Sequence, residues 1–279
     1  MTSQDTDHAF EGSIPELYER FMVPMVFHPY AVDLARRVAA LKPRRVLETA
    51  AGTGALTREL AKALPDGVEI IATDLNQPML DNAQAQRTAK SVTWQCADAS
   101  DMPFADEGFD VVVCQFGVMF FPDKVAGHAE AHRVLRPGGS LVFNTWDRIE
   151  ANEFAHEAQL AVSALLSDDP PLFMQRVPHG YYDRDTILGH VAAAGFTAEP
   201  SFETMTEMPR VNSARVPAVA LCQGTPWNHE LQARSATTGI SIEEMTDAAE
   251  SAIARRFGDS TIEGKIQGFV ITVAKWPGF

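Results

Sequence analysis

The chain has 279 residues, 46% of them hydrophobic, and carries 37 acidic against 23 basic side chains for a formal charge of −14. The length suits one α/β domain with an insertion, and the hydrophobic content can furnish a substantial core. So acidic a surface repels phosphate backbones and anionic lipids, which excludes nucleic acid and membrane from the expected partners, and no apolar run reaches the roughly 18 residues of a membrane helix.

In chain order, Met1-Thr2-Ser3-Gln4-Asp5 is polar and lacks signal-peptide character. Ser13-Ile14-Pro15-Glu16 reads as a capping signal for a short helix through Leu17, Tyr18 and Phe21. A second helical stretch covers Ala31 to Leu41, and an apolar strand follows Pro43. Strand and helix patterns then alternate. A helix after Gly54 precedes a strand from Val68 to Asp74, and a helix from Gln77 to Lys90 precedes a strand from Val92 to Asp98. A strand from Phe109, a helix from Asp123 to Leu135 and a strand through Trp146 complete the series. Valine- and isoleucine-rich runs separated by helices imply a parallel sheet covered on both faces. Beyond residue 150 the patterns are mainly helical, with Asp183 and the Ser241-Ile242-Glu243-Glu244 box as caps, until strands near Ser201 to Met208 and Ile266 to Ala274. Cys96, Cys114 and Cys222 show no paired spacing, and Cys96 and Cys114 sit inside predicted strands, where buried free thiols are common, so the expected protein is reduced and cytoplasmic.

Three of the apolar runs end in an acid. Val46-Leu47-Glu48 leads into Thr49-Ala50-Ala51-Gly52-Thr53-Gly54, a glycine turn at a helix N-terminus, and Asp74 and Asp98 close the next two strands. Glycine lets the backbone approach a ligand there, and free helix N–H groups point at it. Asp74 follows Gly54 by 20 residues, the spacing at which an acid accepts from vicinal ribose hydroxyls. A dinucleotide site needs a third glycine at position 57, where this chain has threonine, and has no task for Asp98.

With Leu135-Arg136-Pro137-Gly138-Gly139 and Phe109-Asp110-Val111-Val112-Val113, these motifs resemble the class I S-adenosylmethionine-dependent methyltransferases, in the small-molecule group that includes quinone-biosynthesis enzymes. The resemblance covers residues 43 to about 147 strongly and the last two strands weakly. Glu48, Ala50 and Ala51 stand where that family more often has Asp, Gly and Cys. It implies a Rossmann-like doubly wound seven-stranded α/β sheet, mostly parallel with an antiparallel seventh strand, plus a helical lid. It also implies the cofactor S-adenosyl-L-methionine, with S-adenosyl-L-homocysteine as product, and a small-molecule methyl acceptor. The turn residues Ala50, Gly52, Thr53 and Gly54 would hold the homocysteine and ribose part, and Glu48 the ammonium end. Asp74 would take the ribose, Leu75 and Met79 would flank the adenine, and Asp98 and the Ala99 amide would read its edge. The Gln115 carbonyl would receive the ammonium.

Gln115-Phe116-Gly117 stands where methylases of nucleobase or glutamine amino groups carry Asn-Pro-Pro-Tyr, which disfavours those substrates. Methyl transfer needs alignment above all, and a general base only for a protonated acceptor. The candidates are His179, His28 and Tyr30, while His128, His132 and His156 read as solvent-side. No His/Cys/Asp/Glu cluster has metal-ligand spacing, so no metal is expected. The expected organisation is a helical arm (1–42), a cofactor-binding core (43–207 and 265–279) and a helical insertion (208–264). The insertion is too long to be a structureless connection, and with the arm it is expected to close as a lid, the competing role being a homodimer contact. A cofactor-binding regulator or assembly subunit without transferase activity is the alternative reading, and a nicotinamide-dependent oxidoreductase ranks below it.

Overall fold

The computed structural model describes residues 7–276; Met1-Thr2-Ser3-Gln4-Asp5, read above as polar and without a leader, lies outside them. The elements run α1 (Ile14–Leu17), a π-helix (Tyr18–Phe27), α2 (His28–Ala40), β1 (Arg45–Thr49), α3 (Ala55–Ala63), β2 (Glu69–Asp74) and α4 (Gln77–Ala85). Next come β3 (Thr93–Cys96), β4 (Phe109–Gln115), α5 (Lys124–Val134), β5 (Leu135–Trp146), α6 (Glu153–Leu165), α7 (Phe173–Arg176) and α8 (Arg184–Ala193). The remainder is β6 (Ser201–Glu207), β7 (Arg210–Val211), α9 (Arg215–Gln223), α10 (Trp227–Thr238), α11 (Ile242–Phe257), β8 (Ile262–Glu263) and β9 (Ile266–Ala274).

Seven strands form one sheet in the order β3-β2-β1-β4-β5-β9-β6. The pairs β1/β2, β1/β4, β2/β3 and β4/β5 are parallel. β9 runs against β5, with the Gly138 amide donating to the Lys275 carbonyl at 2.7 Å and the Asp147 amide to the Gln267 carbonyl at 3.0 Å. The order reverses between β1 and β4, so the ends of these strands frame the crevice where doubly wound sheets bind ligands.

The chain divides into two compact units. The first gathers the described residues up to 27 with 146–180 and 206–267; the second gathers 28–145, 181–205 and the rest from 268. The second unit holds the sheet's core. Leu34 and Val38 of α2, Val46 of β1, Leu56 and Leu60 of α3, Ile70, Val111, Val142 and Val270 form one buried cluster. Each such side chain contributes about 1.5–3 kcal/mol on burial, enough to set strand order before any polar contact acts.

The first unit is helical. α6 lies along α11, where Phe154 meets Phe257 edge-on at 5.2 Å and Arg256 reaches Glu153 and Glu157 at 2.5 and 2.6 Å. The capping box at Ser241 forms as its spacing predicts, with Ser241 and Glu244 satisfying each other's amides. The small antiparallel pair β7/β8 inside this unit was not readable, because each strand is two residues long.

Four local expectations need correction. The Ser13 side chain makes no cap, and the helix it precedes widens into a π-helix containing Pro24; proline has no N–H to return to the ladder. The helix expected to reach Lys90 stops at Ala85, where the Thr88 hydroxyl donates to the Lys90 carbonyl at 2.7 Å and favours a turn. Cys96 is exposed at the end of β3, unlike Cys114 and Cys222. His128 is buried against the Phe143 ring at 4.8 Å, because α5 presents that face to the sheet.

Candidate cofactor site at the strand ends

β1 ends in Glu48 and Thr49, both buried. The chain then turns through Ala50 and Gly52, at φ +52° and +56°, and reaches Gly54 at +80°. Gly54 is the N-cap of α3, and a Cβ there would stand 2.9 Å from the Trp94 ring and 3.3 Å from the Ala83 Cβ. The turn is therefore closed to any side chain at Gly54, and its backbone fits tightly between β2, β3 and α4. The Ala51 amide donates to the Thr73 carbonyl at 2.8 Å, locking turn to β2.

The structure brings Glu48, Gly52 and Asp74 together. Asp74 accepts from the Gly52 amide through Oδ2 at 2.8 Å and from the Asn76 amide through Oδ1 at 2.8 Å. Burial raises its pKa, opposed by these amide bonds. A carboxylate offers about four lone-pair sites, so the two oxygens keep capacity for ligand hydroxyls. Glu48 accepts from the Thr57 hydroxyl at 2.6 Å. Burial pushes its pKa up to about 8, against the lowering effects of Thr57 and Arg58. Largely removed from water, with burial outweighing Thr57 and Arg58, this carboxylate suits a cationic ligand group.

Met79 is buried and its methyl carbon would lie 3.4 Å from a Cβ on Gly52. Leu75, by contrast, is 49% exposed just past β2, an arrangement suited to covering a flat ring. Asp98 is exposed, with Oδ1 accepting from the Ser100 amide at 2.7 Å, so one oxygen caps its own turn. Ala99 is half-buried in that turn.

β4 ends in Gln115, and Phe116 after it adopts φ +51°, a strained geometry for a non-glycine residue. Its amide donates to the buried Asn144 Oδ1 at 2.7 Å. At Gly117 a Cβ would lie 2.4 Å from the Ala50 Cβ and 2.8 Å from the Cys114 sulfur. The strained ends of β1 and β4 thus touch, and only glycine fits between them. Sequence reading missed Thr57, Asn76, Asn144 and Gly117. A polar Asn144 inside an apolar strand and a Thr57 on the inner face of α3 were the available signals.

The residues fit the implied cofactor on two observations. Among the described residues, buried Thr53 Oγ and Gln115 Oε1 have no hydrogen-bond partner, and neither does Asn144 Nδ2; buried polar atoms without partners call for a ligand or water. The Glu48 carboxylate is also buried, and desolvation is the largest influence on it. Of the expected base candidates, Tyr30 packs edge-on against the Phe116 ring at 4.9 Å. Tyr30 is buried and donates its hydroxyl to the Met205 carbonyl at 2.9 Å, and His28 is exposed, with Nε2 3.5 Å from Glu59. His179 belongs to the helical unit, buried, with Nδ1 2.9 Å from the Asp147 carbonyl oxygen. Among the described residues no His/Cys/Asp/Glu group is arranged to hold a metal ion, and no helix is long and apolar enough to cross a membrane.

Comparison with known proteins gives the same picture. A methyltransferase-domain family matches residues 47–143. A demethylmenaquinone methyltransferase of Deinococcus radiodurans is 44% identical over 39% of this chain, and the match spans 45% of that relative's length. A ubiquinone/menaquinone biosynthesis C-methyltransferase of Stutzerimonas stutzeri is 29% identical over 70% of this chain and 76% of its own length. The chain thus spans about half the length of the first of these relatives. Among solved structures, a Haemonchus contortus phosphoethanolamine N-methyltransferase bound to S-adenosylhomocysteine shares the fold at TM-score 0.62 and 15% identity, covering 99% of this chain and 61% of that one. The [4+2]-cyclase SpnF shares it at TM-score 0.58 and 18% identity, covering 100% of this chain and 98% of that one. With its strand order and its left-handed turn after β1, the chain shares the fold of these methyltransferases, and residues 47–143 match the methyltransferase-domain family.

Proposed function

We propose that this protein transfers the methyl group of S-adenosylmethionine to a small, planar acceptor of the quinone-precursor kind. The observation that carries the reading is the joint arrangement at the ends of β1 and β2: a left-handed turn, a buried carboxylate with a raised pKa, and Asp74 holding the turn while keeping lone pairs to spare. The names of the quinone-biosynthesis relatives support the acceptor class.

The cofactor supplies a methyl group already activated on a sulfonium. The protein's work is therefore to bind, orient and exclude water. Gly52 and Gly54 leave the backbone open to a ligand. Glu48 would balance the cationic amino-acid end, and Asp74 would accept from the ribose hydroxyls. Leu75 and Met79 would cover the two faces of the adenine, with Asp98 and the Ala99 amide at its edge. Thr53 Oγ and Gln115 Oε1, unpartnered among the described residues, would complete the polar lining.

The test is transfer from methyl-labelled S-adenosylmethionine into a bacterial metabolite extract, read by mass spectrometry. A labelled aromatic product is expected. If the protein binds the cofactor but labels nothing, it is a cofactor-binding regulator or assembly subunit. SpnF shows that this fold also occurs in a cyclase.

A further inference from the structure

We infer that Lys124 is a positioning residue for the cofactor turn: its ammonium anchors the loop after β4, and that loop holds Gly117 against Ala50. This deepens the methyltransferase reading, on which it rests for the turn's role, by adding a residue that acts through its neighbours.

Lys124 is misplaced by the rules of its own helix. Asp123 caps α5, its side chain accepting from the Ala126 amide at 2.9 Å, so Lys124 is the first helical residue. A cation there faces the positive end of the helix dipole. Lys124 is also half-buried, and desolvation pushes its pKa down against the raising effect of Asp123. A lysine that breaks two local preferences needs a compensating role. It finds one at the end of the preceding element. A 3₁₀ turn (Val118–Phe120) ends just before α5, and Lys124 Nζ donates to the Phe121 carbonyl at 2.7 Å and to the Met119 carbonyl at 3.1 Å. The last carbonyls of a helical turn have no partner within it, and a lysine beside them supplies both donors and charge. The ammonium also lies 5.6 Å from the centre of the Tyr181 ring, within reach of a cation–π attraction.

The anchored loop and the cofactor turn lie in one compact unit. The loop leaves β4 through Phe116 at φ +51°, and the Phe120 amide donates back to the Gly117 carbonyl at 2.9 Å. Val118 and Met119 are buried, and the Phe121 ring covers Gly127 so closely that a Cβ there would stand 2.5 Å from it. At the loop's other end Gly117 abuts Ala50, itself at φ +52° in the turn after β1. Two left-handed non-glycine residues, Ala50 and Phe116, thus flank one contact. Such conformations persist only where the surroundings enforce them. Lys124 contributes that enforcement from the far end of the loop. Without its ammonium the Met119 and Phe121 carbonyls lose a charged donor, and the 3₁₀ turn that begins next to Gly117 loosens.

The test measures affinity for S-adenosylhomocysteine by calorimetry, and hydrogen exchange over residues 48–56 and 115–123, in the full chain and three variants. Lys124→Met keeps an apolar stem of similar length without the charge, and Lys124→Arg restores a cation with several donors. Lys62→Met, at an exposed lysine 2.7 Å from Glu59, controls for the loss of one positive charge. Lys124→Met should bind about tenfold more weakly than the wild type, with faster exchange in both segments. Lys124→Arg should recover affinity to within about threefold, and Lys62→Met should match the wild type. A role confined to global stability would lower the melting temperature of Lys124→Met yet leave the affinity of the folded protein unchanged. The inference is overturned if Lys124→Met binds like the wild type, if Lys124→Arg is as weak as Lys124→Met, or if exchange over 48–56 does not respond. Absence of binding by the wild type would instead sink the cofactor reading itself, and is distinct from a loss confined to Lys124 variants. Should Lys124→Met not fold, Lys124→Gln decides by the same criteria.

Discussion

Replacing Glu48 by glutamine should stabilise the cofactor-free protein while weakening its hold on the cofactor. Burial raises the Glu48 pKa from the ordinary 4.5 to about 8. A raised carboxyl pKa means that the folded state binds the proton more tightly than the unfolded chain. The associated stability is fully present below pH 4.5 and is lost as pH rises through about 8. At about 1.4 kcal/mol per pH step, the linkage removes about 3 kcal/mol between pH 4.5 and pH 7. Glu48→Gln keeps the hydrogen-bonding shape toward Thr57 without a titrating proton. Its melting temperature at pH 7 should exceed the wild type's by roughly 5–10 °C, with the gain vanishing near pH 4.5. A cationic ligand draws the carboxylate form. Wild-type affinity for S-adenosylmethionine should therefore climb by up to about tenfold from pH 6 to pH 7, with proton release detectable by calorimetry in buffers of different ionisation enthalpy. In Glu48→Gln the pH dependence should disappear and affinity should fall by about 10–100-fold, the loss of one charge-assisted contact. A variant less stable than wild type at pH 7, or wild-type binding without proton release, would refute the reasoning.

Gly117→Ala forces a Cβ to within 2.4 Å of the Ala50 Cβ; overpacking of this kind costs about 1–3 kcal/mol, seen as a lowered melting temperature, and should abolish cofactor binding by shifting the β1 turn. His128 and His179 are both pushed down to about 4, chiefly by burial. Protonation favours the unfolded chain, so each histidine's contribution, up to about 3 kcal/mol, is intact above pH 6.5 and lost as pH falls toward 4. Denaturant titrations at pH 7 and pH 5 should show the drop, and His128→Leu should flatten it. The lid expected from the sequence makes its own prediction: cofactor should slow hydrogen exchange in residues 14–30 and 210–257, and unchanged exchange there would remove it.

The sheet was legible because parallel buried strands read as continuous apolar runs, and an acid marked the end of three of them. β9 matches its expected span, Ile266 to Ala274, and Asp183 and Ser241 cap their helices as their side chains allow. The turn was legible from Gly52 and Gly54 alone. What escaped was three-dimensional. His128 is polar yet faces the sheet, which an eleven-residue helix with a weak apolar stripe does not reveal. The Ala50–Gly117 contact joins β1 to β4 across 67 positions of chain, and no local pattern records such a pairing. Asn144 supports Phe116 from a neighbouring strand for the same reason. The π-helix was hidden because its period differs from the one that sequence patterns are tested against.

The most direct test of the central claim is calorimetric titration of S-adenosylmethionine into the wild type, Gly52→Val and Asp74→Ala. Gly52 sits at φ +56° beside Met79, and Asp74 holds the Gly52 amide at 2.8 Å, so both changes strike the same turn from opposite sides. The account predicts saturable one-to-one binding by the wild type and losses of at least about tenfold in each variant, as expected when a buried polar contact or the turn's backbone geometry is removed. Wild-type affinity in both variants would contradict it.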